Sequence, residues 1–129
     1  MKKIVLLMLL GFGLLLGTHA QSIPDGIVNA TRSNNSEQLA QFFNEKVELI
    51  IPGKSGLFSS DQAEQVIKSF FTTNPSSDFK IIHQGVRDNS SYAIGQYTTK
   101  GQNYRVYFLV KESGGKSLIH QLRIEKQDE

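Results

Sequence analysis

His83 and His120 are the side chains in this sequence best suited to moving a proton, because an unperturbed imidazole titrates near neutrality. Tyr92 and Tyr104 offer hydroxyl donors, and Gln96 an amide, on the same set of predicted strands. Under strict two-residue alternation all five fall on the inward side, so they read as the lining of a ligand pocket. The chemical version of this reading is an acid–base pair of His83 and His120 with Tyr92 as hydrogen-bond donor. The plainer version leaves both histidines half exposed at strand ends, bonded to backbone. Two histidines without a neighbouring carboxylate fall short of the three protein ligands a catalytic zinc takes, so no metal or cofactor is expected. The chain has no cysteine, which excludes thiol nucleophiles and thiolate ligands.

The carboxylates sit where structure uses them. Asp25, Asp61, Asp78 and Asp88 fall at helix starts and turns, while Glu48 and Glu125 occupy strand positions opposite the apolar ones. No acid is expected on an inward strand face, where burial would raise its pKa toward working pH, so the domain is read as non-catalytic. Ser113-Gly114-Gly115-Lys116 is a hairpin turn lacking the helix that a phosphate loop requires. A second cluster faces the other way. Arg105, Tyr107, Leu109 and Arg123 lie on the outward side, where the arginines either solvate the sheet or rim a protein interface around the two large apolar residues.

The elements that must carry these residues are legible from periodicity. Ile23, Ile27, Ala30 and Thr31 recur at helical spacing after Pro24, through about Arg32. Asn35 or Ser36 caps a second helix with Leu39, Phe42 and Phe43 on its apolar side. Val47 to Pro52 alternates as a strand, and Lys54 to Phe58 is a connector or short strand. Ser59 and Gln62 form a capping box ahead of the clearest helix, whose Ala63, Val66, Ile67, Phe70 and Phe71 make one apolar face before Asn74-Pro75 ends it. Four strands follow, predicted over Phe79 to Gln84, Tyr92 to Thr99, Tyr104 to Glu112 and Leu118 to Lys126, joined by hairpin-like turns. Their predicted dry side comprises Phe79, Ile81 and His83; Tyr92, Ile94 and Gln96; Tyr104, Val106, Phe108 and Val110; and Leu118, His120, Leu122 and Ile124.

The start of the chain carries an address. Lys2 and Lys3, the apolar run from Ile4 to Leu16, and the small-residue end at Ala20 match a secretory signal peptide over residues 1–20. About 13 apolar residues reach only ~20 Å as a helix, against a ~30 Å hydrocarbon core, so cleavage is expected and no membrane anchor remains. That places the mature protein in the periplasm or outside the cell, as a single domain over residues 21–129. Of 14 basic residues the leader holds two, leaving 12 against 12 acidic ones, a neutral domain without the basic stripe of a nucleic-acid binder.

The spacing Ile27, Ala30, Asn34, Leu39, Phe42-Phe43, Val47-Glu48-Leu49, then Gln62-Ala63, Phe70-Phe71, His83-Gln84-Gly85, Tyr92-Ala93-Ile94-Gly95, Tyr104-Arg105-Val106 and Leu122-Arg123-Ile124 resembles small exported bacterial proteins grouped as domain of unknown function 4783. The resemblance spans essentially the whole mature chain. It implies the α+β cone of nuclear transport factor 2-like and ketosteroid isomerase-like proteins, with N-terminal helices packed on a curved antiparallel sheet and often a pocket in the cone. It implies no activity. Three functional readings follow from the residues: a binding module for a small molecule or a protein, a small isomerase- or hydrolase-type enzyme, and a structural subunit that forms a homodimer through its sheet.

Overall fold

Pro24 supplies the fixed φ that starts the first helix, sitting as its N-cap at φ −56° with Asp25 in the first turn. The computed structural model describes residues 23–128, and the leader expected over residues 1–20 lies outside them. Helix α1, Asp25–Arg32, buries Ile27, Ala30 and Thr31, and the Thr31 hydroxyl donates to the Ile27 carbonyl at 2.8 Å. Asn35 caps α2, Ser36–Ala40, by accepting from the Gln38 amide at 2.9 Å. That helix is shorter than its apolar pattern predicts. Phe43 opens a strand instead, because it pairs with Ile119 across the sheet, and the Ile119 amide donates to the Phe42 carbonyl.

Strand β1, Phe43–Ile51, turns at Pro52-Gly53, with Gly53 at φ 84°, into β2, Lys54–Ser59. The Ser59 and Gln62 capping box is present at the start of α3, Ser60–Thr73, which buries Ala63, Ile67, Phe70 and Phe71 and leaves Val66 at the margin. The chain then runs through β3, Asp78–Arg87, β4, Ser90–Thr98, β5, Asn103–Ser113, and β6, Lys116–Gln127. All six strands form one sheet in the order β2-β1-β6-β5-β4-β3. It is mixed, since β1 and β6 pair parallel while the other neighbours are antiparallel. The intervening β2, α3 and three-strand run provide the long crossover that a parallel pair needs.

The helices close over one face of this sheet. Ile27, Leu39 and Ile67 meet Leu49, Phe79, Phe108 and Leu122 in a core where Thr31 is the buried polar residue among those described.

Two bulges set which residues reach that core. Ile81 pairs with Gly95 and His83 with Ile94, so Ile82 is the extra residue of β3. Leu109 pairs with Gln121 and Val110 with Ile119, which makes His120 the extra residue of β6. Each bulge shifts the two-residue alternation by one position. Beyond Ile82, His83 joins the outer face; at the start of β6, Ile119 and not His120 is buried.

Strand β4 departs from the predicted parity along its whole length. Ala93, Gly95 and Tyr97 point inward, and Tyr92, Ile94 and Gln96 outward. The pairing of Gly95 with Val106 and Tyr97 with Tyr104, both on the inward side of β5, settles the matter. The physical reason is space: the Phe79 ring lies over Gly95, where a Cβ would stand 2.5 Å from two of its atoms.

Candidate functional site

The interior of the cone is filled. Its residual void is about 10 Å³, room for no more than about one water, and is lined by Thr31, Ile67, Phe71, Tyr97, Val106 and Phe108 among others. At its polar end, the Tyr97 hydroxyl donates to the Asn74 carbonyl at 2.6 Å and accepts from the Asn34 amide at 2.8 Å. The Tyr104 hydroxyl donates to Asn74 Oδ1 at 3.2 Å, and Asn34 Oδ1 accepts the Ser76 backbone amide at 2.9 Å. Burial pushes the Tyr97 phenol up to about 12, since its phenolate would lose water it cannot replace. These groups satisfy one another and plug the cone. Asn34 holds a left-handed φ of 56°, which asparagine tolerates, and its role was invisible in a stretch that reads only as a polar break.

Of the five residues expected to line a pocket, Tyr104 alone lies on the inward side, and its hydroxyl is bound to Asn74. Tyr92, Gln96 and His83 stand on the outer face. His120 is half buried in its bulge, with Nε2 out of solvent and unpartnered; burial, then Lys111, lowers its pKa. His83 and His120 are separated by β4 and β5, three strand spacings or roughly 14 Å, so they do not act on one group together.

The outer face assembles what sequence alternation divided. One row across the sheet reads Leu57, Glu48, Gln121, Leu109, Tyr92 and Gly85 from β2 to β3. The next reads Ser55, Ile50, Arg123, Tyr107, Ile94 and His83, and the third contains Glu125, Arg105, Gln96 and Lys80. Tyr92 and Tyr107 stack at 6.4 Å between centroids, and the Arg123 guanidinium lies 5.9 Å from the Tyr107 ring. Arg123 also reaches Glu125 at 3.5 Å, and Gln121 donates to Glu48 at 2.9 Å. The Tyr92 hydroxyl crosses over Gly85 to lie 3.3 Å from His83 Nε2. A shallow hollow of about 260 Å³ opens between Ile94, Arg105, Tyr107, Gln121, Arg123 and Glu125. All four residues expected to rim an interface thus share one surface, with Tyr107, Leu109 and Arg123 half buried and Arg105 exposed.

The model of the domain of unknown function DUF4783 matches residues 24–125. The chain belongs to the DUF4783 family. A DUF4783 family protein from Bacteroides ovatus is 37% identical, with a TM-score of 0.80 over 85% of this chain and 100% of that one. Another, from Bacteroides uniformis, is 36% identical with a TM-score of 0.78, covering 84% and 100%. A nuclear transport factor 2-like protein of unknown function from Shewanella baltica shares 12% identity, covering 81% and 88% at a TM-score of 0.62, a likeness of fold alone. The DUF4783 domain therefore has the nuclear transport factor 2-like α+β fold that its sequence resembles. No curated protein matches the chain. Among the described residues of this DUF4783 domain, no group of three histidine, cysteine or acidic side chains is placed to hold a metal ion, and no helix is long and apolar enough to cross a membrane.

Proposed function

We propose that this DUF4783 domain is an exported, non-catalytic interaction module that presents the outer face of its sheet to a protein partner. The observation that carries the reading is the contrast between the two faces: the cone holds only about 10 Å³ of apolar void, whereas Tyr92, Ile94, Tyr107 and Leu109 lie half buried on the open side. Aromatic and arginine side chains gathered at the centre of a patch are the composition of a binding surface, and Arg123 packed on Tyr107 presents both. The paired lysines and apolar run of the leader support export.

Replacing Tyr107 with a photo-crosslinking amino acid in the native cell tests the surface, with Lys68, exposed on α3, as control position. Discrete adducts from position 107 and none from 68 are expected. Equal or absent adducts at both positions overturn the outer face as the binding surface. Mass spectrometry of the processed protein tests export, with Gln21 expected as the first residue; an intact leader on a cytoplasmic protein refutes it.

A further inference from the structure

We propose that the outer face receives an acidic segment of its protein partner and seats one of that segment's carboxylates in the hollow between Arg105 and Arg123. This rests on the reading of the face as the interaction surface and adds the chemistry of what it binds. The first support is the distribution of charge. Outward strand positions hold Lys46 on β1, Lys80 and Arg87 on β3, Arg105 and Lys111 on β5, and Lys116 and Arg123 on β6. Against these seven basic residues stand three acids, Glu48, Asp78 and Glu125. The chain over residues 21–129 is neutral, so its helices, turns and inward strand positions carry the matching negative excess. An excess of one sign on one face of a neutral molecule selects partners of the other sign.

The hollow gives that preference a fixed point. Arg105 and Arg123 are diagonal neighbours on β5 and β6, since Arg105 pairs with Glu125 and Tyr107 with Arg123. Glu125 serves both arginines and satisfies neither closely. It reaches Arg123 Nη1 at 3.5 Å, longer than the ~2.7–2.9 Å of a close charge-assisted bond, and Arg105 makes no ion pair among the described residues. Arg123 Nε is out of solvent without an acceptor. A second carboxylate entering the hollow completes a set of two cations and two anions, and the planar guanidinium fork is the side chain best matched to it. Ile94 and Tyr107 supply an apolar wall for the carbon atoms that carry the acid. At about 260 Å³ the hollow is smaller than the roughly 300–1,000 Å³ pockets that enclose a free small ligand, and half-buried Tyr92 and Leu109 continue the surface beside it. It therefore fits an anchoring side chain of a larger partner.

The test places a photo-crosslinking amino acid at Ile94, in the wall of the hollow, in the native cell, and reads the captured sequence by mass spectrometry. A protein segment in which acids outnumber basic residues around the adduct is expected. A synthetic copy of that segment is then titrated against the purified chain at low and high salt. Arg105→Gln removes the charge without creating a like-charge pair with Glu125, and is expected to weaken binding about tenfold at low salt. Lys126→Gln makes the same change of net charge at an exposed position off the outer face and is expected to leave the affinity unchanged. Replacing the acids of the segment with their amides should abolish the difference between the wild type and Arg105→Gln, and added salt should weaken wild-type binding. Circular dichroism matching the wild type shows that both variants are folded. A neutral or basic captured segment overturns the proposal, as do adducts with lipid or polysaccharide, an Arg105→Gln affinity equal to wild type, or an equal loss from Lys126→Gln. Absence of adducts from both positions 94 and 107 removes the interaction surface itself, whereas adducts with a segment lacking acids remove only the carboxylate anchor.

Discussion

The Tyr97 hydroxyl donates to the backbone carbonyl of Asn74 at 2.6 Å, from a ring that is wholly buried. One side chain thereby joins β4 to the end of α3 and, through the Asn34 amide, to the turn between the two short helices. Removing only the oxygen by Tyr97→Phe leaves the Asn74 carbonyl and an Asn34 N–H short of a partner in a half-buried setting. A loss of about 1–3 kcal/mol in urea unfolding is expected. A change near zero would mean that the plug does not contribute to stability.

The same phenol makes the fold sensitive to alkali. Its pKa is raised to about 12 when folded, against an ordinary 10.0, so between those values the folded state holds a proton that the unfolded state has released. Stability is fully present below pH 10.0 and declines as pH rises through that window. Ultraviolet titration should show a late phenolate that is missing from Tyr97→Phe. Its persistence in the variant would assign it elsewhere.

Phe70 tests the helical lid. Its ring lies 5.2 Å from Tyr104 edge-on and 5.7 Å from Tyr97, and it is 7% exposed. Phe70→Ala should cost about 3–5 kcal/mol, the usual range for an aromatic removed from a core. A loss under about 1 kcal/mol would contradict the packing described.

Gly95 and Gly85 make a matched pair on opposite faces. A Cβ at Gly95 meets two atoms of the Phe79 ring at 2.5 Å and the Lys80 carbonyl at 3.1 Å; Phe79 is fully buried and cannot withdraw. Gly95→Ala is expected to destabilise by about 1–3 kcal/mol. At Gly85 the obstruction is the Tyr92 hydroxyl at 2.7 Å, the far end of a side chain on an open face. Gly85→Ala should stay within about 0.5 kcal/mol of wild type while displacing Tyr92 from His83, read as a change in the His83 ring resonances. Equal costs at both sites would be inconsistent with this division of the sheet.

His120 predicts the acid side of the stability curve. Its pKa is lowered by burial and by Lys111, so below 6.5 the unfolded state takes up the proton first and stability falls with decreasing pH. His120→Gln should flatten the curve in that range. An unchanged slope would place the acid sensitivity in another group.

The helices were legible because each signal is local. The capping box at Ser59 and Gln62, the Asn35 cap and the apolar spacing from Ala63 to Phe71 depend on residues within a turn or two of one another, and all are present. Strand β5 was legible for a related reason, since its large inward residues alternate without interruption from Tyr104 to Val110. The α+β class and the family resemblance followed from the same patterns.

Only the assembled sheet decided the faces of β4 and of the stretches of β3 and β6 beyond their bulges; Val47, Leu49 and Ile51 of β1, Phe79 of β3, and Leu122 and Ile124 of β6 are buried as their alternation predicts. The residues of β4 are apolar on both sides, and local alternation cannot tell that Ala93 and Gly95 go inward because the Phe79 ring already occupies the space there. The bulges at Ile82 and His120 exist only relative to a neighbouring strand, and each turns a histidine away from the position that strict alternation assigns. The candidate pocket therefore dissolved and the outer patch gained Tyr92 and Ile94 beside Tyr107 and Leu109. Which side of a strand meets water is a property of its partners and of the volume left in the core, and neither is written within the strand itself.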